Sequence, residues 1–217
     1  MKNIIYIIII VFITINNTNL LAAPAMINLV FDSSGSVSIS DFELANEVAS
    51  EFAELLYKRS QLKIGERSDW LSVNWFGGAK RSSDYEITPF INCSDINQMG
   101  NLSRKLQGKK HPQYGYTAIY NAILLGSAQV IQKDMSIPGD YLKTVIIVTD
   151  GEDNDSDSNA KALVNKIFPN NNLLLFVVGV GKGARIDTFK QYAVDVLKID
   201  SFNELLASLT LLLEILP

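Results

Sequence analysis

Three apolar runs constrain this chain more than any other feature. They are Met26–Phe31 (MINLVF), Lys143–Thr149 (KTVIIVT) and Leu173–Gly181 (LLLFVVGVG). Each is short, rich in aliphatic residues and apolar at successive rather than alternate positions. Strands of that kind are buried on both faces, as in parallel sheets covered by helices. The segments between them supply the helices. From Asp41 to Lys58, the residues Phe42, Ala45, Val48, Ala49, Phe52, Leu55 and Leu56 recur at three- and four-residue steps, with Ser40 as the expected N-cap. Further helices are expected at 94–108, Tyr116–Gln132, Asn159–Phe168, Arg185–Ala193 and from Phe202 onward. Trp70–Phe76 reads as a strand broken by Gly77 and Gly78. Tyr85–Phe90 reads as an edge strand because Pro89 lacks a ladder donor. Val196–Ile199 reads as the last strand. Alternating strands and helices imply crossover connections. The expected fold is α/β, a doubly wound, mainly parallel six-stranded sheet flanked by about seven helices.

The start of the chain is not part of that pattern. Lys2 precedes the apolar run Ile4–Ile15, and LLAAPA follows a polar NNTN. A basic residue, a short apolar stretch and an A-x-A site make a secretory signal, with cleavage expected after Ala25. The run is short for a membrane span, so a membrane is a partner only if the segment stays uncleaved. The expected organisation is a signal peptide at 1–25 and one domain at 26–217. The signal points to a bacterial protein that is periplasmic, cell-surface or secreted. The formal net charge of −4 makes nucleic acid a poor partner. Cys93 is the only cysteine, so no internal disulfide forms, and a buried thiol is the simplest expectation.

In open α/β sheets, ligands gather outside the carboxyl ends of the strands, where strand order reverses. After the first apolar run come Asp32, Ser34 and Ser36, spaced to converge on one side of an extended turn. Asp150 follows the central run, and Thr117 precedes a helix. Two carboxylates and three hydroxyls suit a hard divalent cation, which prefers oxygen ligands and offsets repulsion between the acids.

FDSSGSVS resembles the D-x-S-x-S motif of von Willebrand factor A domains, also called integrin I-like domains. Thr117 in GYTAIYNAI resembles the family's threonine at a helix start, and Asp150 in IIVTDGEDN resembles its T-D-G element. The three occur in family order, and the strand–helix pattern covers Met26 to Leu216. The resemblance implies a metal-ion-dependent adhesion site. Ser34 and Ser36 would bind the cation directly, Asp32 and Asp150 mainly through waters, and Thr117 in either way. Mg2+ is the implied ion, with Mn2+ or Ca2+ as alternatives. An Asp or Glu of a protein partner would complete the site. The HPQYGY loop is bulkier than the Gly-rich loop often found there, which places His111, Tyr114 and Tyr116 at the expected partner-binding rim, and Glu152 is expected there as well. The family also suggests that the final helix slides on binding, although its residues alone support only packing.

Other readings are weaker. DGEDNDSDS fails the EF-hand template, which needs Gly where Ser158 stands and Glu where Val164 stands, and reads as a solvated acidic loop. Gly179, Gly181 and Ala184 satisfy G-x-G-x-x-A, but late in the chain rather than after the first strand. His111 is the only histidine, and no Ser-His-Asp set can be built without it. Protein binding rather than catalysis is therefore expected. The alternatives are a metal-dependent phosphoesterase-like hydrolase and an assembly subunit whose metal only stabilises the strand ends.

Overall fold

In this computed structural model, residues 23–62, 67–78, 84–112, 114–168 and 172–215 are described. The signal segment lies almost wholly outside them. The strands are β1 (Ala25–Asp32), β2 (Trp70–Phe76), β3 (Tyr85–Glu86), β4 (Ile91–Asn92), β5 (Leu142–Thr149), β6 (Leu173–Val180) and β7 (Asp195–Ile199). The α-helices are α1 (Ile39–Leu62), α2 (Ile96–Gln107), α3 (Ile119–Ser136), α4 (Ser158–Ile167) and α5 (Leu205–Ile215). The sheet runs β3-β2-β1-β5-β6-β7, with β4 also on β2. β1, β2, β5, β6 and β7 are parallel, and β3 and β4 pair antiparallel with β2. Among the described residues, no helix is long and apolar enough to cross a membrane.

Side-chain alternation divides the core. Ile27, Leu29 and Phe31 of β1 face α1, α2 and α5, while Met26 and Val30 face α3 and α4. This two-sided burial explains why the strands read as continuous apolar runs. Cys93 is fully buried on the α1 side, as expected. Burial also holds its thiol well above the usual range, with the Asp69 charge adding to the effect. The thiolate is the reactive form, so native protein is expected to resist iodoacetamide until unfolded, as mass spectrometry would read.

Three local expectations are corrected. The 85–90 edge strand shortens to β3, and β4 lies just beyond it at Ile91–Asn92, so the described residues form seven strands where six are expected. Between them, the Thr88 side chain replaces the ladder: Val73 N–H donates to Thr88 Oγ1 at 3.1 Å, and Thr88 Oγ1 donates to Val73 O at 2.9 Å. Among the described residues, five α-helices flank the sheet rather than about seven. The 185–193 segment forms only a 3-10 turn over Asp187–Gln191, because Ile186 and Phe189, three apart, are both buried. Ser38, not Ser40, caps α1. Its Oγ accepts from Asp41 N–H at 3.1 Å and donates to Asp41 Oδ2 at 2.6 Å, closing a reciprocal cap.

Candidate functional site

β1 is the point from which strand order runs outward in both directions. The crevice beyond the ends of β1 and β5 is therefore the switch point of the sheet. Asp32, the last residue of β1, is 3 % exposed. One oxygen, Oδ1, accepts from Ser34 N–H at 2.8 Å, and the other, Oδ2, accepts from Thr149 Oγ1 at 2.6 Å. Burial pushes its carboxyl up to about 6, against the lowering effect of those hydrogen bonds, and the Asp150 charge adds a smaller upward push. Ser34 Oγ lies 3.0 Å from Ser36 Oγ, and Ser36 Oγ donates to Asp150 Oδ1 at 2.8 Å. Burial also raises the Asp150 carboxyl. A hydroxyl–carboxylate chain thus joins the ends of β1 and β5.

Thr117 reaches the same place from the other side. A Cβ on Gly151 would stand 3.8 Å from Thr117 Oγ1 and 3.9 Å from Ser36 Oγ. The missing side chain leaves a cradle between the two hydroxyls. The five expected residues therefore gather at one end of the sheet as an oxygen-only donor set. Among the described residues, no cluster of three or more His, Cys, Asp or Glu competes with it. Such a set suits a hard cation rather than a soft one.

Two features that position Thr117 are not apparent in the sequence. The first is the acidic loop, which keeps Glu152, Asn154 and Asp157 exposed, as expected, and also clamps the start of α3. Asn154 Oδ1 accepts from Thr117 N–H at 2.9 Å, and Thr117 O accepts from Asn154 N–H at 3.0 Å. Asp153 Oδ1 accepts from Ile119 N–H at 2.8 Å, and Ser156 Oγ accepts from Tyr120 N–H at 3.0 Å. These groups satisfy otherwise unpaired N–H donors of the first turn. The second is the segment 114–118, which crosses the strand ends. Tyr114 N–H donates to Ser33 O at 3.2 Å, and Ala118 N–H donates to Gly77 O at 2.8 Å. The crossing requires Gly77, because a Cβ there would meet Tyr114 Cβ at 2.1 Å. Gly77→Ala is expected to cost about 1–3 kcal/mol and to displace the segment that leads to Thr117. A variant as stable as wild type by urea denaturation would contradict this.

The expected rim residues differ in role. Tyr116 is exposed at 54 % and adjoins Thr117. Tyr114 is half-buried and packs at Gly77. Glu152 is exposed and ion-paired to Arg185 at 2.9 Å. His111 is half-buried with its ring edge-on to Phe42 at 4.7 Å, and burial lowers its pKa. The G-x-G-x-x-A glycine Gly179 sits against Ile186 and Ala184, where a Cβ would lie 2.5 Å and 2.9 Å from their side chains. Close packing accounts for it.

The von Willebrand factor type A domain profile matches residues 27–195. The chain belongs to the von Willebrand factor type A family. The match spans the strand ends that carry all five oxygen-bearing residues. Solved structures share this fold at low identity. Proximal thread matrix protein 1 from the mussel byssus, described with a zinc-occupied MIDAS motif, is 20 % identical at a TM-score of 0.69, covering 89 % of this chain and 48 % of that one. A von Willebrand factor type A protein from Catenulispora acidiphila is 15 % identical at 0.67, covering 88 % and 42 %. The pilus adhesin SpaC from Lactobacillus rhamnosus GG is 13 % identical at 0.66, covering 92 % and 31 %. The chain thus spans about half the length of the first of these and less of the others. Among curated proteins, none matches it significantly in sequence.

Proposed function

We propose that this von Willebrand factor type A domain is a divalent-cation-dependent protein-binding module of an exported protein. The observation that carries the reading is the hydrogen-bonded set Ser34–Ser36–Asp150 beside the buried Asp32, with Thr117 and Ser36 both facing Gly151. The donor set fits Mg2+, with Mn2+ or Ca2+ as substitutes. Ser34, Ser36 and Thr117 would offer hydroxyl oxygens, and Asp32 and Asp150 would balance the charge. A bound ion supplies residual positive charge that attracts a partner's Asp or Glu. The chain's own residues hold the hydroxyls in place: Thr149 fixes Asp32, the acidic loop fixes Thr117, and Tyr116 forms an exposed edge. The mussel protein's zinc-occupied motif and the adhesin role of SpaC support metal binding and adhesion on this fold.

The two alternatives are less well supported. Ser36–Asp150 and Thr149–Asp32 hydrogen bonds already join the strand ends, so an ion serving only as a clamp has little left to do. For hydrolysis with Asp32 as nucleophile, the positions that follow it carry serines at 34 and 36 rather than a second acid. Export, with the mature domain at 26–217, belongs to the same proposal. β1 itself begins at Ala25, whose N–H donates to Asp69 Oδ1 at 2.8 Å.

The test is capture of proteins from a native envelope or host extract on immobilised protein. Capture is expected to need Mg2+, to reverse with EDTA and to fail with folded Asp32→Ala. Capture that survives both would contradict the proposal. Turnover of a phosphoester panel that Asp32→Ala abolishes would favour the hydrolase.

A further inference from the structure

A groove of about 470 Å3 runs between α1 and α2, lined by residues from Glu43 to Glu51 of α1 and by Leu106, Gln107 and Lys109 on the other side. It shares no lining residue with the strand-end site. Glu43, Glu47 and Glu51 form one exposed ridge of α1 at four-residue steps. Among the described residues, none of the three forms an ion pair, whereas the next glutamate, Glu54, pairs with Lys58. Like charges at this spacing repel and weaken a helix. Lys109 does not neutralise the row, because its ammonium is paired to Glu86 and lies 4.2 Å from the Trp75 ring centroid.

The lining also contains an unpaired donor. Asn46 is 4 % exposed. Trp75 Nε1–H can only donate, and it bonds Asn46 Oδ1 at 3.2 Å. That bond fixes the orientation of the amide, and Asn46 Nδ2 is left buried without a hydrogen-bond partner. Buried donors of this kind are normally satisfied. The groove therefore calls for positive charge along its rim and a hydrogen-bond acceptor at Asn46.

We propose that the α1–α2 groove binds a lysine- or arginine-bearing segment of a protein partner. The segment's cations lie along Glu43, Glu47 and Glu51, and one of its carbonyl oxygens accepts from Asn46 Nδ2. A bare metal ion or a polyamine offers charge but no acceptor, so a peptide meets both demands. The groove would give the domain a second contact surface that does not depend on the strand-end cation.

The test follows the Asn46 side-chain amide and the Trp75 indole N–H by NMR in the 15N-labelled protein. The probes are the blocked peptide acetyl-Gly-Lys-Gly-Arg-Gly-amide and, separately, spermidine. The peptide is expected to shift both resonances saturably, equally with Mg2+ or EDTA present. Glu47→Gln with Glu51→Gln, both exposed substitutions, is expected to weaken it about tenfold. Three results would overturn the proposal: no saturable shift up to about 5 mM peptide, spermidine moving both resonances with the peptide's affinity, or loss of peptide binding in EDTA. Failure here leaves chelator-sensitive capture at the strand ends intact, so the two proposals are tested separately.

Discussion

Asp32→Asn is expected to make the cation-free protein more stable at neutral pH, by about 2–3 kcal/mol. The reason is the burial that raises the Asp32 carboxyl from 3.8 to about 6 in the folded state. Between those values the folded state holds a proton that the unfolded state has released. Wild-type stability from this group is therefore fully present below about 3.8 and falls as pH rises through about 6. Asparagine carries no charge to desolvate. Its Oδ1 can still accept from Ser34 N–H, and its Nδ2 can face Thr149 Oγ1. Urea denaturation in EDTA at pH 7 should thus favour the variant, by roughly 4–12 °C if read as Tm. The same variant should lose the stabilisation that Mg2+ gives wild type, because a ligand stabilises only the state that binds it. A variant less stable than wild type in EDTA would contradict the account. So would a variant that Mg2+ stabilises as much as wild type.

Asn74→Leu is expected to be the most damaging single change away from the strand ends, at about 3–5 kcal/mol. Asn74 is fully buried. Its Nδ2 donates to Asn28 Oδ1 at 2.8 Å and to Gln129 Oε1 at 2.7 Å, and its Oδ1 accepts from Thr88 N–H at 2.7 Å. Gln129 Nε2 in turn donates to Ser72 Oγ at 3.2 Å and to Thr88 O at 2.5 Å. Leucine matches the volume but leaves several buried partners unpaired, and their loss is felt together. Because the network ties α3 to β1 and β2, the damage should reach Thr117 at the start of α3. A fall in Tm of roughly 6–20 °C is expected, with weaker cation binding in whatever remains folded. A loss below about 1 kcal/mol would show that the network contributes little.

The legible parts of this molecule were those encoded in short stretches. The buried strands announced themselves because both faces of β1, β5 and β6 are covered. Asp32, Ser34 and Ser36 lie within one turn, and Thr117 and Asp150 stand beside elements that periodicity located. What escaped reading depends on partners distant in sequence. Nothing local marks Asn28, Asn74 and Gln129 as one network. The Thr88 side chain takes over ladder bonds of β2, and no pattern within 85–90 shows this. Asp153, Asn154 and Ser156 look like unengaged polar residues until the start of α3 is laid against them. Thr149 looks like no more than the end of a strand, yet its hydroxyl holds Asp32. One missed signal was local: S-x-x-D from Ser38 to Asp41 is a capping pattern, and it identifies Ser38 over Ser40.

The proposed function requires a single cation held by hydroxyls and carboxylates, with a position left for an outside acid. The most direct measurement is a Mn2+ titration of the purified protein followed by water-proton relaxation. A single saturable Mn2+ is expected, with bound water that a glutamate-bearing partner displaces, and Ser34→Ala with Ser36→Ala should abolish it. Saturable Mn2+ binding that is unchanged in the double serine variant, or no saturable binding at all, would contradict it.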